Sequence, residues 1–325
     1  MLGRKQTNIL VIKTDGLAAF VAAEPAFDAI RKAHPNAKIS LLTTSDLQRI
    51  ARASPFFDQA AALPNLRDPE ARKTLVKQLK TAKFEKVYDL SADDQSKRLH
   101  AAMGVFRPKW HIAAPTPRKS GKNGGAAFPE WGKMLADAGL EAPERLPDTR
   151  WALAARKDSA NMKPSWYGIS TPFGLLLPSV DPAKRWPASC YAGFATIMAR
   201  SGFMPVLAGP KDLHHFGDEI ANEAPQLVDL TGKTDHLQLA ALSQEAAFFV
   251  SDQAEEMHLA ASIGCEGIVI TDAKSASTPP HGRHVVALTA AGDLGAVEPV
   301  FAWRTLSNMG LVLSEDDQPR TAVAR

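Results

Sequence analysis

Asn8 to Lys13 carries an unbroken apolar run, Ile9-Leu10-Val11-Ile12, with no alternation of polar positions. Such a run predicts a strand covered on both faces, as in a parallel sheet. Leu17, Phe20, Val21, Ala23, Ala26, Phe27 and Ile30 then recur at intervals of three and four. That spacing predicts one amphipathic helix, stopped near His34-Pro35-Asn36. Lys38 to Thr43 reads as a second strand, so the chain opens as a βαβ unit with an expected right-handed crossover.

The alternation continues with helices over Asp46 to Ala53 and Pro69 to Ala82, and a strand at Lys86 to Leu90. From Ala113 to Ala126 the periodicity disappears into a Pro-, Gly- and cation-rich stretch that reads as a mobile basic loop, before a helix near Trp131 to Ala138. Between Pro143 and Ser170 there is little periodic pattern, and the domain boundary is expected there, giving domains of 1–160 and 161–325. A second βα series follows. Strands are expected at 174–178, 204–209, 247–251 and 267–271, with helices at 187–200, 213–222, 237–244 and 257–263. A last helix near Val300 to Met309 is placed so that it could return to the first domain. The predicted fold class is α/β, two Rossmann-type doubly wound parallel-sheet domains facing a cleft.

Composition narrows the functional classes. The 325 residues are 45% hydrophobic and 22% charged, with 38 Lys and Arg against 35 Asp and Glu, the balance of an ordinary globular protein rather than a nucleic-acid-coating one. Two cysteines, Cys190 and Cys265, make no disulfide framework and fit a reducing compartment. The early apolar run is too short for a signal or a membrane span, so a cytoplasmic location is expected, with peripheral contact at the inner membrane through the basic loop.

The chemistry-bearing segment is Ala183-Lys184-Arg185-Trp186-Pro187. Pro187 suits the first position of a helix, whose free N–H groups would point back towards Lys184. A diphosphate there would meet a helix N-terminus and an ammonium together; the plainer alternative is a solvated Lys-Arg pair before a capped helix. Gly-x-Ser-x-Gly, Gly-x-Gly-x-x-Gly and Walker A sequences do not occur, which argues against a serine hydrolase, a dinucleotide oxidoreductase and a P-loop nucleotidase. His214-His215 and the loop residues His281 and His284 read as surface histidines, and no metal site is expected.

Five blocks in order resemble glycosyltransferase family 9, the ADP-heptose:lipopolysaccharide heptosyltransferases. They are Ile9-Leu10-Val11-Ile12-Lys13 with Glu24-Pro25-Ala26-Phe27, Phe84 to Leu90, Lys184-Arg185-Trp186-Pro187, Asp229 to Thr234, and His258-Leu259-Ala260-Ala261. The resemblance implies a GT-B-like fold, a nucleotide-sugar donor of ADP-heptose type, an anionic lipopolysaccharide-core acceptor, inversion at the anomeric carbon and no metal or other cofactor. It implies donor contacts from Ser179, Lys184, Thr234, Asp252 and His258, and acceptor contacts from Arg118, Lys119 and Lys122.

Two departures fall on chemistry. The family's first loop ends in Gly-Asp, the Asp being the candidate base; here those positions are Ala18-Ala19. Losing a general base forfeits ~10² to 10⁴ in rate. Asp15, one helical turn earlier, is the candidate replacement, with an N-cap role as its alternative. The family's Asp-Thr-Gly-Pro corresponds to Gln253-Ala254-Glu255-Glu256, where two carboxylates would compete with a diphosphate for the same N–H groups unless they merely start a solvated helix. Asp252 is expected to supply the lost acidic contact if the loop slips by one residue. Two functions follow: an active transferase, or a catalytically inactive subunit of the same architecture that binds or scaffolds, for instance alongside a partner transferase.

Overall fold

The computed structural model describes residues 6–91, 93–105, 107–113, 131–141, 144–154, 159–170, 172–272 and 284–313. The chain divides into two compact units, 1–155 and 156–325.

In the first unit β1 (Asn8–Lys13), β2 (Lys38–Thr43), β3 (Gln59–Ala62), β4 (Lys86–Asp89) and β5 (Lys109–Ile112) form a parallel sheet in the order β3-β2-β1-β4-β5. Ile9, Val11 and Ile12 are wholly buried and Leu10 nearly so, as a strand covered on both faces requires. The helices are α1 (Leu17–Ala22), α2 (Glu24–Ala33), α3 (Gln48–Ala53), α4 (Pro69–Ala82), α5 (Asp94–Met103), α6 (Trp131–Asp137) and α7 (Trp151–Ala154).

The single helix expected after β1 is two helices broken at Ala23. Pro25 has no N–H with which to continue the ladder, and it sits in the first turn of α2, where none is needed. Leu17, Phe20, Phe27 and Ile30 still share the core, so the apolar spacing survives the break. The short strands β3 and β5 are not predicted by the pattern, because Gln-Ala-Ala-Ala and Lys-Trp-His-Ile lack a strand's apolar signature.

In the second unit β6 (Phe173–Leu177), β7 (Met204–Leu207), β8 (Val228–Asp229), β9 (Phe248–Ser251), β10 (Gly267–Asp272) and β11 (Val285–Ala290) make an all-parallel sheet in the order β11-β10-β9-β6-β7-β8. This is the doubly wound Rossmann order. Helices α8 (Ala188–Arg200), α9 (His214–Glu223), α10 (His236–Glu245), α11 (Glu256–Ile263) and α12 (Pro299–Asn308) connect or follow the strands. Pro187 is the cap residue of α8 rather than its first helical residue: its carbonyl accepts from Cys190 and Tyr191.

The second core is aromatic, with Trp186, Tyr191, Phe194, Phe248 and Trp303 buried together. The last helix, expected to return to the first domain, places Ala302, Trp303 and Leu306 in this core against α8.

In each sheet the chain reverses direction of winding between two central strands, β1 and β4 in the first and β6 and β9 in the second. The crevice beyond the carboxyl ends of such a pair is where open α/β sheets place ligands.

Candidate functional site

At the first reversal point, β1 delivers Lys13, Thr14 and Asp15, and β4 delivers Leu90, Ser91 and Asp93. Lys13 is wholly buried. Its ammonium lies 2.8 Å from Asp15 Oδ1, donates to the Leu90 carbonyl at 3.1 Å, and stands 5.0 Å from the centre of the Trp131 ring. Burial lowers the Lys13 pKa and raises that of Asp15, each opposed by the partner's charge. Ser91 Oγ accepts from the Thr14 N–H at 2.7 Å, while the Thr14 hydroxyl donates to Asp93 at 2.8 Å. Asp93 also caps α5 by accepting from the Ser96 N–H.

Asp15 therefore does not cap α1: Gly16, at φ 97°, occupies that position. Ala19, where the family carries Asp, is buried on α1. Sequence reasoning singled out Asp15 but missed Lys13, Ser91 and Asp93. The available signal was a lysine closing an apolar strand, which has no buried place without a nearby carboxylate. Arg118, Lys119 and Lys122 lie outside the described residues.

At the second reversal point β6 leads into Ser179 and β9 into Asp252, and the two meet. Asp252 is wholly buried, and its carboxylate accepts from the Ser179 N–H at 2.5 Å, the Trp186 N–H at 2.5 Å and the Tyr191 hydroxyl at 2.9 Å. Burial pushes its pKa up to about 8 against the pull of these three donors. Burial, then the Asp252 charge, raises the Tyr191 hydroxyl.

Between the two strapped amides runs a short 3-10 turn, Pro182–Lys184. The Lys-Arg pair there is not two equivalent solvated cations. Arg185 lays its guanidinium 4.1 Å from the centre of the Phe216 ring, whereas Lys184 is 52% exposed and only loosely paired, at 3.7 Å from Asp181.

The remaining donor candidates stand on other elements. Thr234 is half-buried in the turn just before the capping box that Asp235 and Gln238 form on α10. In that same turn Gly232 has φ +67°, a backbone conformation that strains a side chain, and a Cβ there would press on Lys211 Cα at 3.1 Å. His258 is buried on α11. His214 is not a plain surface residue: its Nδ1 lies 2.9 Å from the Thr231 hydroxyl.

Within the altered loop Gln253 adopts φ +62° and donates to Thr271 Oγ1 at 2.9 Å. Glu255 is exposed, while burial, with the Glu255 charge adding to it, raises the pKa of Glu256. The two glutamates are thus unlike: one faces solvent, and the other is drawn inwards. Among the described residues no group of three His, Cys, Asp or Glu side chains is placed to hold a metal ion, and no helix is long and apolar enough to cross a membrane.

Residues 127–292, just over half of the chain, match glycosyltransferase family 9 (heptosyltransferase). The chain belongs to that family. Its fold is similar to that of the Escherichia coli ADP-heptose lipopolysaccharide heptosyltransferase II, with a TM-score of 0.74, 18% identity and coverage of 93% of this chain and 98% of the other. It is also similar to the E. coli heptosyltransferase WaaC with ADP, with a TM-score of 0.71, 15% identity and coverage of 93% and 100%. A Haemophilus influenzae protein named "Putative glycosyltransferase" is 28% identical over 109 residues, a match covering 34% of this chain and 31% of that relative. At these identities the solved structures establish the GT-B-like fold of two parallel-sheet α/β units. In this family-9 chain, Lys184 lies in the Lys-x-Trp-Pro block of the second unit and Asp15 beyond β1 of the first.

Proposed function

We propose that the protein transfers a sugar, of heptose type, from a nucleoside diphosphate donor to a hydroxyl of an anionic, lipopolysaccharide-core-type acceptor. The observation that carries this reading is Lys184, an exposed, loosely paired cation on a loop strapped at the reversal point of the second sheet. The diphosphate of a donor needs such a cation most when its glycosidic bond breaks and negative charge grows on the leaving oxygen. The ADP carried by the E. coli heptosyltransferase WaaC supports an adenine nucleotide as the first donor to try.

In the proposed step the acceptor oxygen attacks the anomeric carbon. The carbon–oxygen bond to the diphosphate breaks with its electron pair leaving on the nucleotide, and the configuration inverts. The acceptor proton passes to Asp15. Burial raises the proton affinity of that carboxylate, which suits a base, and Lys13 fixes its orientation from below. Lys184 carries the charge of the leaving group, so the step assigns no metal ligand. The basic stretch containing Arg118, Lys119 and Lys122 is assigned to the acceptor phosphates, and through them to the inner face of a membrane.

A second reading has its own observation. Ala19 at the family's base position, with Asp15 already neutralised by Lys13, favours a subunit that binds a nucleotide sugar without transferring it, in a complex with an active transferase. Incubation with ADP-heptose and a panel of UDP- and GDP-sugars, with lipopolysaccharide-core acceptors, separates the two. Turnover lost in Lys184→Ala and in Asp15→Asn supports transfer; saturable donor binding without turnover under any pairing supports the second reading.

A further inference from the structure

We propose that Asp252 is a positioning residue for Lys184, a buried carboxylate that straps both ends of the Ser179–Trp186 loop to the end of β9. The inference rests on the reading of Lys184 as the cation for the donor diphosphate, and it gives Asp252 a different job from a nucleotide contact. One oxygen takes the Ser179 N–H and the other takes the Trp186 N–H, so a single side chain closes an eight-residue loop from the inside. The Tyr191 hydroxyl, from the first turns of α8, completes the set.

Three donors converge on a group with no exposed surface, which leaves no face of the carboxylate for a nucleotide. Its acceptor positions are taken up by the loop's own amides and the Tyr191 hydroxyl and do not face a diphosphate.

The loop between the strapped ends is held by its own short bonds. The Asp181 N–H donates to Ser179 Oγ, the Ala183 N–H to Asp181 Oδ1, and the Lys184 N–H to the Asp181 carbonyl. On the far side Trp186 is wholly buried, and its indole N–H donates to the Val297 carbonyl at 3.0 Å. The loop is thus stiff inside and anchored at one end by an indole, and the carboxylate of Asp252 fixes where the whole turn sits above the sheet. Without it the Lys184 ammonium would sample a wider arc. A group misplaced by an ångström loses much of its electrostatic effect.

The experiment titrates the full-length protein with ADP by calorimetry, comparing native, Asp252→Asn, Lys184→Ala, the Asp252→Asn/Lys184→Ala double variant and Tyr191→Phe. Asp252→Asn keeps the size but replaces one acceptor by an N–H₂ that faces an N–H, and it is expected to weaken ADP about 10- to 100-fold. The double variant should bind no more weakly than Lys184→Ala alone, because the two changes act through one group. Tyr191→Phe leaves both backbone straps and should stay within about twofold of native.

Native-like affinity in Asp252→Asn overturns the proposal, and so does an equal loss with and without Lys184, since a merely structural defect would be additive. Hydrogen exchange reads the strap itself without any variant. The Ser179 and Trp186 amides should exchange as slowly as the central amides of β9, and fast exchange at either refutes it. ADP binding unchanged in Lys184→Ala, or absent from the native protein, refutes the donor reading instead, and the exchange rates still decide the strap.

Discussion

The Lys13–Asp15 pair allows the sharpest quantitative test. Asp15→Ala removes the partner of an ammonium that has no exposed surface. At 2.8 Å and an effective dielectric of about 20, the lost attraction is about 6 kcal/mol. The Leu90 carbonyl and the Trp131 ring remain, and local relaxation admits some water, so the net loss should fall to about 3–5 kcal/mol, the usual result of orphaning a buried charge. Replacing both residues, Lys13→Met with Asp15→Ala, removes the charge that needed a partner and should return stability to within about 1 kcal/mol of native or above it.

The pH dependence has a definite sign. The folded-state pKa of Lys13 lies below its unfolded value, so the folded state favours the neutral amine, and the associated stability is lost as pH falls through the folded pKa. The deficit of Asp15→Ala should therefore shrink between pH 7 and pH 9.5. Urea unfolding followed by Trp fluorescence at both pH values measures all three quantities. A loss below about 1 kcal/mol in the single variant, or a double variant as unstable as the sum of its parts, would show that the pair is not the buried, mutually dependent contact described. The same reasoning makes Asp15→Asn, which keeps an acceptor towards Lys13, the variant to use when activity is read.

Further outcomes are expected. Lys184→Ala removes an exposed side chain and should leave the unfolding midpoint unchanged while weakening ADP binding measurably and abolishing turnover; a shifted midpoint would contradict its place on the surface. Gly267→Ala would set a Cβ 2.2 Å from the Phe249 carbonyl oxygen, a backbone atom of the neighbouring strand, and should destabilise the second unit by at least ~1–3 kcal/mol in thermal unfolding. Trp303→Ala should cost about 3–5 kcal/mol by opening a cavity among Phe194, Phe203 and Phe248. The Asp58 carboxyl, held below its ordinary value by the Arg31 side chain and the Ile39 N–H, contributes stability that is present above pH ~4 and lost as pH falls through its folded pKa. Asp58→Asn should therefore flatten the acid limb of the unfolding curve, and an unchanged limb would exclude that contribution.

Much of this protein was legible in its sequence because parallel sheets make strong local demands. Strands covered on both faces must be continuously apolar, so β1, β2, β6 and β9 stand out as such, and the three- and four-residue spacing of α4 and α8 sets them between strands. Pro69 and Pro187 mark where helices begin for the same local reason: a residue without an N–H is harmless there.

Edge elements were not legible, since β3 and β5 take their extended form from pairing with Ser40–Thr43 and Lys86–Asp89 rather than from their own side chains. The break at Ala23 was in principle readable from Pro25, but the apolar spacing runs straight through it.

The site residues divide along the same line. The block around Lys184 and the unusual Ala19 could be picked out one residue at a time. Which of Lys184 and Arg185 faces solvent depends on where the Phe216 ring lies, a residue far along the chain. Asp15 becomes the counter-ion of Lys13 because β1 ends beside Leu90 and buries the ammonium. Asp252 binds backbone amides 66 and 73 residues away because β6 and β9 are neighbours at the point where the sheet reverses. A one-dimensional pattern records what a residue must avoid, water or apolar surroundings; only the folded sheet decides which distant groups meet its charge.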